Sequence, residues 1–445
     1  MYSLIKTENI NTLQNKVLEL EKIVSSQEKI IESLKDKLNI NSSNSGLPTS
    51  KEIYKKEKEK RQKSNKKAGG QKGHKFSGYQ FKNPDKKLSI TVKEEKCKCG
   101  SDLSLEGYSK HQKIDIPTIK PIITEYLLEK KCCTKCSRKY KAKLPDYKLL
   151  SPRVESIISS LSGFYNISKR DIQSMLKHMF NLDISLGLIS ESESRVSSKL
   201  KPAYDKLHDE IEEQNFIHVD ETSHNNQGKR FWCWLMASTN LTLIKIANSR
   251  GKKVISNLLP DYAGNIISDR YAVYNHFDES KRQVCLAHLY RDFKRFAHSS
   301  NSHVSEVGYK LLETMDRSFA LYHGYKSGKI DILYMRRKIK KVKHKIYYFL
   351  RDIKYSSESE SAMRVANNIL KSFDMMWLFV DNEDIPPTNN FAERQIKHHV
   401  KYRKNSYHTW SDRGDRFLER IKSIYATSKL RQQNPFDALL EIAYS

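Results

Sequence analysis

Apolar residues recur in steps of three and four along the first forty positions. Ile10, Leu13, Val17, Leu20, Val24, Ile31, Leu34 and Leu38, with the polar Gln27 in register, form an a/d seam over four heptads flanked by Glu, Lys, Gln and Ser. A stripe this narrow predicts a coiled coil over 1–40 that pairs two copies of the chain, the alternative being a helix folded back on its own body. NINSSNSGLPTS (39–50) cannot continue that helix, because Asn, Ser, Gly and Pro mark a loop. Over 85–147 the pattern changes to short β-type runs, KKLSITVKEE, HQKIDIP and IITEYLLEKKC, which predict a small β domain. Over 148–212 it turns helical. SPRVESIISSLSGFYN, then ISKRDIQSMLKHMF with Ser168 as N-cap, then SLGLISESESRVSSKL give a helix-turn-helix-like outline. The third of these offers Ser and Glu where a DNA reader would often offer Arg or Gln, so a plain helical linker is an equal alternative.

From 213 the strands are stronger. NFIHVDET, RFWCWLMAS and LTLIKIA predict three, SRGKKVISNLL a helix, and AGNIISDRY a strand ending at Asp269. KRQVCLAH is a further strand leading into the helix LYRDFKRF. This is the element order of a ribonuclease-H-like α/β core, in which the strands holding Asp220 and Asp269 are neighbours. Residues 299–380 read as helical throughout, an insertion before the core resumes at 381–432, and 433–445 reads as a tail. Pro386-Pro387 exclude helix, Thr388 or Asn389 can cap the next one, and Glu393 falls in its first turns. The predicted fold class is therefore multidomain α+β: coiled coil, linker arm (41–84), zinc-ribbon-like β domain, helical domain, and a ribonuclease-H-like core (213–298 and 381–432) with a helical insertion.

Charge narrows the function. Lys and Arg number 80 against 52 Asp and Glu, a net charge of +28, with 38 % hydrophobic residues and no apolar run near the ~18 residues that span a bilayer. The start, MYSLIKTENI, pairs no basic segment with an apolar one, so no signal peptide is expected. A basic chain without a membrane segment points to nucleic acid as partner, in the cytoplasm and on the nucleoid. KEIYKKEKEKRQKSNKK (51–67) runs into AGGQKGHKFSGYQ (68–80), where Lys72, His74 and Lys75 on a Gly-rich backbone are candidate phosphate contacts.

Five of the seven Cys fall between 97 and 136. In a reducing compartment that pattern suggests metal and not disulfides. Cys97, Cys99, Cys133 and Cys136 would supply the four thiolates of a structural Zn²⁺, with Cys132 as a substitute, although the first knuckle is one residue short. Buried free thiols in a small β domain are the alternative. Asp220, Asp269 and Glu393 are candidate catalytic residues. Three carboxylates suit two Mg²⁺ or Mn²⁺ about 4 Å apart, which polarise the attacking and leaving oxygens in nucleotidyl transfer. Around Glu393, the basic residues Arg394, Lys397, Lys401, Arg403 and Lys404 are candidate phosphate contacts. Cys285 and His288 are half a zinc site at most, so a structural role is preferred.

The chain resembles the transposases of the insertion-sequence 66 family over nearly its whole length. The resemblance lies in NSSNSGLPTS, AGGQKGHKFSG, the two cysteine knuckles with IDIP and ITEY between them, HVDET followed by GKRFWCWL, SDRYAVYN and CLAHLYRDFK. The most specific block is PPTNNFAERQIKHHVKYRKNSYHTWSDRGDRFLERIKS. It implies an Asp-Asp-Glu set at Asp220, Asp269 and Glu393, and a homodimer handling two element ends. Terminal inverted repeats and target DNA would be the partners, with room for helper proteins of the same element. A DNA-binding relic without chemistry and a structure-specific metal-dependent nuclease are the rival readings.

Overall fold

The computed structural model describes residues 2–40, 79–94, 96–144 and 148–444. Helix α1 (Tyr2–Leu38) realises the heptad segment. Leu13, Val17, Leu20, Val24, Ile31, Leu34 and Leu38 along it are each 50–62 % exposed, so these seam positions meet no core among the described residues. Its last turn is anchored instead by polar contacts: Ser300 donates its backbone N–H to the Asp36 carboxylate at 2.9 Å, and the Ser299 hydroxyl adds a second bond.

The expected β domain is largely absent. Among the described residues of 79–144, only β1 (Lys130–Cys132) and β2 (Lys139–Lys141) form strands, an antiparallel hairpin, beside one isolated bridge between Lys96 and Asp102. The runs KKLSITVKEE and HQKIDIP form no strand. Leu88, Ile90 and Ile122 are 89, 90 and 96 % exposed, so nothing faces the apolar positions and no burial stabilises a ladder.

The helices α2 (Pro152–Gly163), α3 (Lys169–Phe180) and α4 (Leu186–Glu212) follow as expected, and Ser168 caps α3 by accepting from the Asp171 N–H. Ile158, Ile172, Leu176 and Ile189 form a small core of their own. The rest of α4 does not stop at a domain boundary: Val196, Leu200, Tyr204, Leu207 and Ile211 enter the main core.

That core is built on five strands, β3 (Phe216–Asn226), β4 (Lys229–Ala237), β5 (Thr242–Ala247), β6 (Asn265–Ser268) and β7 (Arg282–Val284), in the order β5-β4-β3-β6-β7. β3, β4 and β5 are antiparallel, while β6 runs parallel to β3 and β7 parallel to β6. β3 turns into β4 through Gln227 and Gly228, both at positive φ, which matches a tight hairpin turn whose twist suits the strands. The short helix α5 (Lys252–Leu258) joins β5 to β6, and α6 (Leu286–Ala297) follows β7.

Helices α7 (Ser302–Lys326), α8 (Ile332–Ser356), α9 (Glu360–Leu370) and α10 (Leu378–Asp381) make up the insertion. They share one apolar cluster with Ile267, Val284 and α6, so the insertion is fused to the sheet. Gly308 permits the close crossing of α7 on the end of α6, because a Cβ there would lie 2.2 Å from the Ala297 nitrogen.

Helices α11 (Asn390–Ser406), α12 (Asp412–Leu430) and α13 (Pro435–Tyr444) complete the chain. The expected tail is this last helix, with Leu439 and Ala443 buried. α12 covers the free edge of β5. Thr427 Oγ1, Ser423 Oγ and Glu419 Oε1 accept the N–H groups of Thr242, Ile244 and Ile246 at 2.8–3.0 Å. Four helical residues advance ~6 Å and two strand residues ~6.8 Å, so the acceptors keep step with the donors and the edge is closed to other strands.

Candidate active site

Parallel pairing of β3 with β6 sets His218 opposite Ile267, so two residues on, Asp220 lies opposite Asp269. Asp269 is the first residue after β6 and accepts the Tyr271 N–H at 2.8 Å. Its backbone is fixed by the buried Arg282 of β7, which donates to the Asp269 carbonyl at 2.8 Å and to Ser268 Oγ at 3.1 Å. Glu393 stands in the first turn of α11, half-exposed, with Arg291 of α6 at 3.5 Å and His288 at 3.9 Å.

Asn389 holds that turn against the sheet. It occupies the N-cap position of α11 but makes no side-chain cap. Its amide donates to the Val219 carbonyl at 2.8 Å, and its oxygen accepts from His218 Nδ1 at 2.8 Å. Because Nδ2 is the donor to Val219, the oxygen must be the acceptor and His218 carries its proton on Nδ1. Burial pushes His218 down to about 4, so the ring is neutral at neutral pH. The Asn389 N–H points at Cys285 Sγ at 3.1 Å, and Leu286 N–H donates to the Pro387 carbonyl at 2.9 Å. Cys285 is therefore a structural seat for the start of α11.

Electrostatics place the acids in one field. Burial raises Asp220 well above the usual carboxylate range, and Glu221, Asp269 and Glu393 push it further. Among the described residues, no Lys or Arg forms an ion pair with Asp220. Glu221, by contrast, is buried and satisfied: it takes hydrogen bonds from Tyr274 and from Arg250 Nε at 2.8 Å. Arg250 in turn lies over the rings of Tyr271 and Trp232, at 3.9 and 4.9 Å from their centroids. Among the described residues, no three or more His, Cys, Asp or Glu side chains are gathered closely enough to hold a metal ion. The three acids share a field without forming a closed cage.

A family model described as Transposase IS66 family matches residues 166–416, more than half of the chain. The chain belongs to that family. No curated protein matches it. The matched stretch of this family member contains all three acids, Asn389 and Cys285, and it omits α1 and the cysteine knuckles.

The block that ends the match, SDRGDRF, has a structural task. Asp415 is buried and accepts from His224 Nε2 at 3.0 Å and from Asn226 Nδ2 at 2.7 Å. His399 Nε2 lies 3.1 Å from His224 Nδ1. The chain His399–His224–Asp415 thus pins α11, β3 and α12 together, and burial keeps His399 neutral, far below the ordinary histidine value. Sequence reading missed Glu221, Arg250, Tyr274 and Asn389's role. The one available signal was Glu221 directly after Asp220, a second acid that demands its own cation.

The expected phosphate contacts separate into three sets. Arg394, Lys397, Lys401 and Lys404 are exposed along α11. Arg403 is half-buried and donates from one guanidinium nitrogen to the Ser223 carbonyl of β3 at 2.7 Å. Lys72, His74 and Lys75 lie outside the described residues. Of the cysteines, Cys97, Cys99 and Cys136 are exposed and Cys133 is half-buried. Each knuckle keeps its own pair in contact. Hydrogen bonds from Ser101 and Cys97 lower Cys99 to about 7, and those from the Cys136 and Lys135 backbone lower Cys133. The structure does not bring the two pairs together.

Proposed function

We propose that this transposase-family protein cuts and joins DNA in a metal-dependent reaction centred on Asp220, Asp269 and Glu393. The observation that supports it most is Asp220: a partly buried carboxylate, beside two further acids, with no cationic side chain paired to it. Such a group is neutralised either by a proton or by a bound cation, and its hard oxygen donors suit Mg²⁺ or Mn²⁺. When bound, two divalent ions would polarise the attacking and leaving oxygens of the phosphodiester. The chain's own residues do the remaining work. Arg282 and Asn389 hold the acids on rigid elements, and Arg394, Lys397, Lys401 and Lys404 neutralise phosphates along α11. The sheet order, three antiparallel strands followed by two parallel ones, supports a ribonuclease-H-like core.

The terminal inverted repeats and target DNA are the substrates in this reading, with helper proteins of the element as additional partners. The open apolar seam of α1 supports a homodimer through the coiled coil. Cys97, Cys99, Cys133 and Cys136 would hold a structural Zn²⁺ once the two knuckles close on it. The lowered thiols suit such a ligand set. No helix among the described residues is long and apolar enough to cross a membrane, and work on the nucleoid is part of the proposal.

Incubating the full chain with Mg²⁺ or Mn²⁺ and a labelled duplex ending in the element's terminal repeat tests the reading. Cleaved 3′ ends joined to a second duplex are expected. Cleavage without joining would make the protein a nuclease, and binding without either would make it a relic.

A further inference from the structure

We infer that the groove between α7 and α8 holds the phosphate backbone of the duplex that leaves the active site. This rests on the proposal that the protein acts on DNA, and part of the surface is the basic run KIKKVKHK (338–345). The two helices pack through an apolar seam that includes Leu311, Met315, Ile339, Val342 and Ile346. Beside the seam lies a cleft of about 460 Å³ rimmed by Lys310, Arg317, Lys338, Lys341 and Lys345, with Glu313 as the one acid among its lining residues. Lys310 pairs with Glu306 at 2.6 Å. Arg317, Lys338, Lys341 and Lys345 make no ion pair among the described residues, although ion pairs form elsewhere on the same helices, such as Lys343 with Asp374.

Five cations around one cleft repel one another and add nothing to the apolar seam beneath. A polyanion relieves that repulsion. The spacing fits a nucleic acid backbone. Lys310 and Arg317 are two turns apart on α7, as are Lys338 and Lys345 on α8, so each row is about 10 Å long. One strand of a duplex advances ~3.4 Å per phosphate, so each row spans about three phosphates. The position fits as well. On its other side, α7 presents Phe319, Tyr322 and His323 to a cleft of about 430 Å³ that reaches Pro387 and Asn390, at the start of the Glu393 helix. One helix, about 10 Å across, therefore separates the basic groove from a cleft that reaches the first residue of the Glu393 helix.

The test measures how the affinity of the full-length protein for a duplex lacking the terminal repeat falls with salt. Three proteins are compared: wild type, a groove variant (Arg317→Gln, Lys341→Gln and Lys345→Gln together), and a charge-matched control (Lys329→Gln, Lys340→Gln and Lys371→Gln together). Each lost phosphate contact flattens the log–log slope by about 0.9, so the groove variant should be shallower by about 2.7 and the control by less than 1. Melting curves matching wild type would show that the groove variant is folded. Equal slopes for groove variant and control would overturn the inference. So would a groove variant that binds DNA like the control but loses affinity for poly-glutamate, which would make the partner an acidic polypeptide. No step of the assay involves chemistry, so a failure of the three-acid proposal would leave this result readable.

Discussion

Leu88, Ile90 and Val92 alternate with polar residues as regularly as Ile217 and Val219 do, yet the first three are 74–90 % exposed and the other two are fully buried. Alternation states which face of a strand would gain from burial. A facing layer decides whether it is buried. β3 has α11 against it and β5 has α12, and Asn389 ties the first turn of α11 to His218 and Val219, next to Asp220. Among the described residues the cysteine region has no such layer, and its two thiol pairs stand apart. The sheet and its helices are thus organised by their own core, while the cysteine region depends in our proposal on an added ion.

The largest expected break in this contrast comes from Asn389→Ala. It leaves His218 Nδ1 and the Val219 carbonyl without partners, at about 1–3 kcal/mol each, and frees the first turn of α11. A shift of ~1 Å in Glu393 should lower single-turnover cleavage about 100-fold while duplex affinity changes little. Cleavage at wild-type rate would show that Asn389 does not position the acid.

Asp220→Asn should sharpen the contrast from the stability side. Burial first, and then the neighbouring acids, raise Asp220 in the folded chain. The folded state thus holds that proton more tightly than the unfolded state does. Its stabilisation is complete below the ordinary carboxylate range and is lost as pH rises through the raised value. Without divalent ions the variant should melt above wild type at about pH 8, by about 2–4 °C per kcal/mol recovered, with the gap closing below about pH 4. Mn²⁺ should raise the wild-type melting temperature and leave the variant's unchanged. A variant that melts lower at every pH would contradict the unpaired-carboxylate argument.

The smallest effect belongs to Cys133→Ser. Elemental analysis should find zinc in wild type and none in the variant, while the melting transition of the sheet and its helices stays where it was. A fall in that transition would mean that the cysteine region supports the core after all.

Much of the site was legible in the sequence because it rests on local signals. Asp220 and Asp269 sit on or beside strong strands, and Pro386-Pro387 announce the helix that bears Glu393. Illegible were features joining distant positions. Glu221 meets Tyr274 53 residues later, and His224 meets Asp415 191 residues later. No periodicity reports such pairings. The sequence offers Thr388 or Asn389 as the cap of α11; Asn389 takes the N-cap position, yet its side chain goes to the tertiary partners His218 and Val219. The hydrogen bond that ties Arg403 to the Ser223 carbonyl of β3 is likewise invisible to a reading of charge and position along α11. The strands expected at 86–95 and 111–117 fail for the opposite reason: the local pattern alternates, and among the described residues no partner layer faces it.

The central claim is that three acids form one metal-dependent strand-transfer site. Its most direct test compares wild type and Glu393→Gln on a labelled duplex bearing the terminal repeat, with Mg²⁺ or Mn²⁺, measuring binding, cleavage and joining in the same samples. The account predicts that the variant binds the duplex as wild type does and neither cleaves nor joins it. A variant that still cleaves and joins would contradict it.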